Sequence, residues 1–131
     1  GVVRNPFDTI VSHYYWQNNS ANKNAKPITF YDLLKELEAN ENLNYGLLNL
    51  NKLMDKKCNT ILCDKIIKYE NLNKELDLIF NRLGIPFDGE LKIYKKKSNR
   101  DNNYRKYFDN KAKILVENIY KRDMEIFDYV F

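Results

Sequence analysis

The stretch that most constrains this chain runs from Val2 to Tyr14 and turns on Asn5-Pro6. Proline lacks an amide and fixes φ, so it cannot sit inside a helix or a central strand. It does suit the first helical position, where its missing donor is no loss. Asn5 before it is a good N-cap, because its side-chain oxygen can accept from an amide of the first turn. Phe7, Ile10, Val11 and Tyr14 then recur at helical spacing and form one apolar stripe. The reading is a strand end over residues 1–4, a sharp break, and a helix from Pro6 to about Gln17. Arg4 is left at the carboxyl end of a strand beside the positive end of a helix, where open α/β folds collect anions. A competing reading pairs Arg4 with Asp8 and leaves Ser12 idle on a helix face.

Arg-Asn-Pro-x-Asp-x-x-x-Ser-x-Tyr, here Arg4 to Tyr14, resembles the 3′-phosphate-binding signature of the sulfotransferases. These enzymes use 3′-phosphoadenosine 5′-phosphosulfate (PAPS) as sulfuryl donor. The resemblance implies that Arg4 and Ser12 hold the 3′-phosphate of the cofactor. The chemistry is reasonable: arginine offers a planar fork of donors that matches phosphate. Ser12 lies roughly 9 Å along the helix from Pro6, a gap that a long arginine can largely close.

The rest of the chain supplies helices and a few short apolar clusters. Asn18 to Lys26 is a polar loop; in the family this region faces the acceptor. Thr29 opens a second helix with Asp32 three residues on as a partial capping box, and Phe30, Leu33, Leu34 and Leu37 as its apolar face. A weaker third helix is expected from about Asn44 to Lys56, using Leu47, Leu50 and Met54. Thr60 to Tyr69 holds two short apolar clusters, of which Lys65 to Tyr69 reads as a core strand. A clear helix follows from about Asn73 to Leu83, with Leu76, Ile79, Phe80 and Leu83 on one face and Gly84 as its stop. Asp109 can cap a last helix that runs to about Phe127, burying Leu115, Val116, Ile119 and Tyr120.

Two further segments resemble the same family. Ile67-Lys68-Tyr69-Glu70-Asn71-Leu72 is similar to its strand followed by Tyr-Glu-Asp/Asn-Leu. There the tyrosine lies near the adenine, so Tyr69 is an implied adenine contact, with a strand-end core aromatic as the alternative. Glu70 is expected to be structural, capping or pairing with a basic group. Tyr120-x-x-Asp123-x-x-x-Phe127-Asp128-Tyr129 resembles the family's closing Tyr-x-x-Asp-x-x-x-Phe-Gly-Tyr, with Asp128 in place of the glycine. Between these lies a basic run of Lys92, Lys95, Lys96, Lys97, Arg100, Arg105 and Lys106. Such runs are usually solvated loops; in the family a late basic loop closes over the 3′-phosphate, and nothing here singles out one side chain.

The 131 residues fit a single domain. The implied fold class is α/β, a mostly helical fragment of a P-loop-type α/β/α sandwich with two or three short parallel strands. The family's glycine-containing phosphate loop, with its lysine, has no counterpart around Gly1, Gly46, Gly84 or Gly89. The chain therefore reads as the C-terminal portion of a sulfotransferase-like domain, inactive alone and without an assigned catalytic residue. An uncovered sheet edge and face are expected, leading to a homodimer or a marginally stable fold.

Net charge of +4 fits a partner that is an anionic small molecule. The implied partners are PAPS and a hydroxyl-bearing acceptor, a carbohydrate by the resemblance. No apolar run approaches a membrane span. Cys58 and Cys63 have neither redox nor zinc spacing and His13 is the only histidine, so no metal site is expected and reduced thiols in a cytoplasmic protein are the plain reading. Two other classes compete: an interaction domain on the same scaffold, and a weak nucleic-acid binder using residues 92–106 with Tyr94, Tyr104 and Tyr107 as stacking faces.

Overall fold

A computed structural model describes residues 1–18, 26–40, 47–55, 57, 59–91 and 100–131. It is a mostly helical α/β arrangement. Strand β1 (Val2–Val3) leads through Arg4 and Asn5 into α1 (Pro6–Gln17). Asn5 caps α1 as its sequence predicts, accepting from the Phe7 amide at 3.0 Å. Helix α2 (Phe30–Ala39) starts at Thr29, whose hydroxyl accepts from the Asp32 amide at 3.1 Å. The short α3 (Asn49–Leu53) runs into β2 (Met54–Asp55), which pairs antiparallel with β3 (Thr60–Ile61). Strand β4 (Ile67–Lys68) lies parallel to β1, with Val2 opposite Ile67 and Val3 opposite Lys68. A 3₁₀ turn (Tyr69–Asn71) then opens α4 (Leu72–Leu83), and a second (Tyr104–Tyr107) precedes α5 (Asn110–Ile119) and α6 (Lys121–Phe127).

Helices α1, α2 and α5 bury one face each against the others. Phe7 and Ile10 meet Leu33, Leu34, Leu37, Ala112, Val116 and Tyr120 in the main core. Full burial of each such leucine stabilises the fold by roughly 1.5–3 kcal/mol. Phe108 and Phe131 pack edge-on against Phe7, with ring centroids 5.1 and 4.8 Å away. A smaller cluster of Val3, Leu50, Phe127 and Tyr129 sits under the β1–β4 pair.

Two sequence expectations change. The third helix is shorter than Asn44 to Lys56; Asn44, Gly46 and Lys56 lie outside the described residues, and the helix observed spans Asn49–Leu53. Its start is set by a distant carboxylate: Asp123 accepts from the amides of Asn49 at 2.7 Å and Leu50 at 3.2 Å. Its end is set by β2, which diverts Met54 and Asp55 into strand pairing. The last helix breaks at buried Tyr120, whose backbone (φ −105°, ψ 16°) departs from the helical range, so two helices stand where one was expected. Asp128, where the family pattern has glycine, keeps the turn in a left-handed conformation (φ 52°, ψ 54°). Asp is among the few residues that tolerate this.

Candidate functional site

The junction between β1 and α1 is held from every side by the segments that carry the other two matched motifs. Glu70, from the turn after β4, accepts from the Asn5 amide at 2.7 Å and from the Tyr129 hydroxyl at 3.0 Å. It thus has backbone and phenol partners rather than the basic group its sequence allowed. Burial, and then the Glu70 carboxylate, push the Tyr129 phenol upward in pKa, so it stays a donor at neutral pH. Asn5 spends its amide nitrogen on Tyr104 Oη and on the Val130 carbonyl, both at 3.2 Å. Asn49 clamps the Arg4 backbone, accepting from its amide at 3.2 Å and donating to its carbonyl at 2.9 Å. All five of these pairings join residues at least 45 positions apart.

Held in this way, Arg4 projects its side chain to a mixed site. Its Nε donates to Asp8 Oδ2 at 2.7 Å and its Nη2 lies 2.6 Å from the same oxygen. Its guanidinium also covers one face of the Tyr69 ring, 4.5 Å from the centroid. Arg100 approaches from the other side, with Nη1 2.6 Å from Asp8 Oδ1. That nitrogen is buried and ion-paired with Asp8, though out of line for a hydrogen bond. Two cations therefore converge on one carboxylate, with side chains only 24%, 13% and 14% exposed for Arg4, Arg100 and Asp8.

Of the three residues selected from the sequence, Arg4 and Tyr69 touch each other. Ser12 lies one turn beyond Asp8 on α1 and so on the same helix face. It is half-buried, and no hydrogen bond joins its hydroxyl to another described residue. The competing ion pair of Arg4 with Asp8 is also present. The α1 N-terminus is less open than the sequence implies, because Asn5 and Asp8 already serve its first turn.

Arg100 is the residue that sequence reasoning missed. It stood inside a basic run with six equivalents, and its partner Asp8 is 92 positions away. Residues 92–99 lie outside the described ones. Further along α1, Tyr15 shares a 2.8 Å hydrogen bond with Tyr107. That bond, then burial, raises the Tyr15 pKa, while the Arg100 charge acts the other way. The rings offered as nucleic-acid stacking faces are engaged internally: Tyr104 stacks on Phe7, and Tyr107 packs edge-on against Tyr15. Tyr94 lies outside the described residues. His13 is half-buried beside Trp16, with ring centroids 5.5 Å apart, and burial lowers its pKa. Among the described residues no group of acidic, histidine and cysteine side chains could hold a metal. Nor is any helix long and apolar enough to cross a membrane.

The junction thus brings the opening motif, the Tyr69-Glu70 segment and the closing Asp123-to-Tyr129 segment into one bonded unit. A family model described as "Sulfotransferase family" matches residues 1–130. No curated protein and no solved structure matches the chain. With the match covering nearly every residue and its three signature segments meeting at one site, the chain belongs to the sulfotransferase family.

Proposed function

We propose that this chain carries the 3′-phosphate-binding part of a PAPS site, serving sulfuryl transfer to a hydroxyl of an acceptor, a carbohydrate by the family resemblance. The observation that carries the reading is the pair of guanidiniums on one carboxylate, with the buried Arg100 nitrogen ion-paired but not aligned for a hydrogen bond. A phosphate at this position would meet a planar fork on each side.

The residues present fit the group. Arg4 uses its Nε–Nη2 edge on Asp8, which leaves Nη1 and the opposite edge for a phosphate. Arg100 would supply the nitrogen that makes no aligned hydrogen bond to Asp8, and Ser12 a hydroxyl that bonds no other described residue. Tyr69 is 47% exposed and has one ring face covered by Arg4, so an adenine would use the opposite face or the edge. Bound PAPS would supply the sulfuryl group; these side chains bind and orient it. The Asn49 clamp fixes the Arg4 backbone and the Asn5–Glu70–Tyr129 network fixes the residue after it, which sharpens that orientation.

The 131 residues hold no glycine-lysine loop for the sulfate end. Gly84 ends α4 in a left-handed conformation (φ 67°) and is thereby spent as a helix stop. His13 is kept from the acceptor-base role by its place inside α1. We therefore expect no turnover from these residues alone, and a cytoplasmic setting consistent with the unpaired Cys63 thiol.

Calorimetric titration with adenosine 3′,5′-bisphosphate tests the site. Arg4→Ala and Arg100→Ala should each weaken binding by about tenfold or more, given about 1.5–3 kcal/mol for a charge-assisted hydrogen bond. Ser12→Ala should weaken it less. Binding that ignores all three substitutions would overturn the reading.

A further inference from the structure

We propose that Asp8 is an internal counter-anion that sets the strength of this site, holding down its affinity for a terminal phosphomonoester. The proposal rests on the phosphate-site reading above. Asp8 spends both carboxylate oxygens on the site's cations: Oδ2 on Arg4 Nε and Nη2 at 2.7 and 2.6 Å, and Oδ1 against Arg100 Nη1 at 2.6 Å. No other carboxylate is paired with either guanidinium among the described residues.

Two consequences follow from this geometry. First, two like charges are held together before any ligand arrives, because the carboxylate between them offsets their repulsion. Second, Asp8 leaves one net positive charge where two guanidiniums alone would offer two. An incoming phosphate must share the arginines with Asp8 and bear its repulsion at close range. A phosphomonoester near its full charge of about −2 still gains from one net positive charge and from the free guanidinium edges. A ligand without that phosphate gains nothing from the arginines. Asp8 therefore lowers affinity for every anion at this position, and the loss grows with the charge the ligand brings.

Because the group is mostly shielded from water, with a side chain 14% exposed, its repulsion is only partly screened. Removing the charge should therefore tighten binding. The test is calorimetric titration of the full chain with adenosine 3′,5′-bisphosphate and, in parallel, adenosine 5′-monophosphate. Asp8→Asn should bind the bisphosphate about tenfold more tightly than wild type while leaving the monophosphate unchanged. Asp8→Glu, which keeps the charge, should stay near wild type. Asp8→Ser is a second neutral variant, so that tightening does not depend on one side chain.

Weaker or unchanged bisphosphate binding in a folded neutral variant overturns the proposal. So does loss of helical circular dichroism in both neutral variants, since the carboxylate would then be scaffold. Failure of the underlying site looks different. In that case wild type itself shows no preference for the bisphosphate over the monophosphate, and Arg4→Ala changes nothing.

Discussion

Asp123 and His13 are titratable side chains that the fold pushes in opposite directions. Burial lowers the His13 pKa below its ordinary 6.5, so the unfolded chain binds that proton more readily. Its contribution to stability is full above about pH 6.5 and is lost as pH falls toward the folded value. The melting temperature should drop between pH 7 and 5.5, and His13→Gln should flatten part of that drop. Burial raises the Asp123 pKa above 3.8, against the lowering effect of the Asn49 and Leu50 amides. Its contribution is therefore full below about pH 3.8 and is lost as pH rises through the folded value. Asp123→Asn keeps the shape and loses one of two buried acceptors, which should cost about 1–3 kcal/mol in urea unfolding. An unchanged midpoint would mean that α3 does not depend on this cap. At this scale the sequence was informative where a residue's role is local. Asn5, Thr29 and Asp109 all cap the helices their positions imply. Arg100 could not be singled out, because only the fold brings it to Asp8.

Helix ends show which chain signals suffice by themselves. Gly84 stops α4 with the Ile85 amide bonded to the Phe80 carbonyl at 2.9 Å, a closing turn that glycine adopts without strain. Asp128 makes the same type of turn after α6, with the Tyr129 amide on the Met124 carbonyl at 3.0 Å. Here a side chain bears the left-handed cost. Asp128→Gly should raise stability by about 0.5–1 kcal/mol in chemical denaturation, because the Lys68 bond at this position goes to the backbone carbonyl and survives. A destabilised variant would show that the carboxylate has a role of its own. The stripe on α4 was equally legible, yet none of that helix's residues is buried. Periodicity identifies an apolar face but not what covers it. Amides of α4 should therefore exchange hydrogen faster than those of α1, α2 and α5. The β2–β3 pair and the break at Tyr120 were not legible, since each strand is two residues long and neither glycine nor proline marks Tyr120.

Across the molecule, exposed apolar side chains include three on and just after α4: Leu78 at 57%, Leu83 at 63% and Ile85 at 47%. The homodimer expected from the sequence rests on surface of this kind. Leu83→Lys should lower any apparent mass above the monomer in light scattering, and a wild-type monomer at high concentration would remove that expectation. The parallel β1–β4 pair was foreseeable as two separate strand segments; their register was not, because it joins Val2 to Ile67. The same long reach has a consequence for biosynthesis. Asn5 is fixed by Glu70, Tyr104 and Val130, the last 125 positions downstream. At ordinary translation rates the ribosome needs about 6–25 s to add those residues. Until the end of that interval the arginine-bearing junction lacks the last of its fastenings. A nascent chain stalled before Tyr129 should bind no nucleotide, however long it waits.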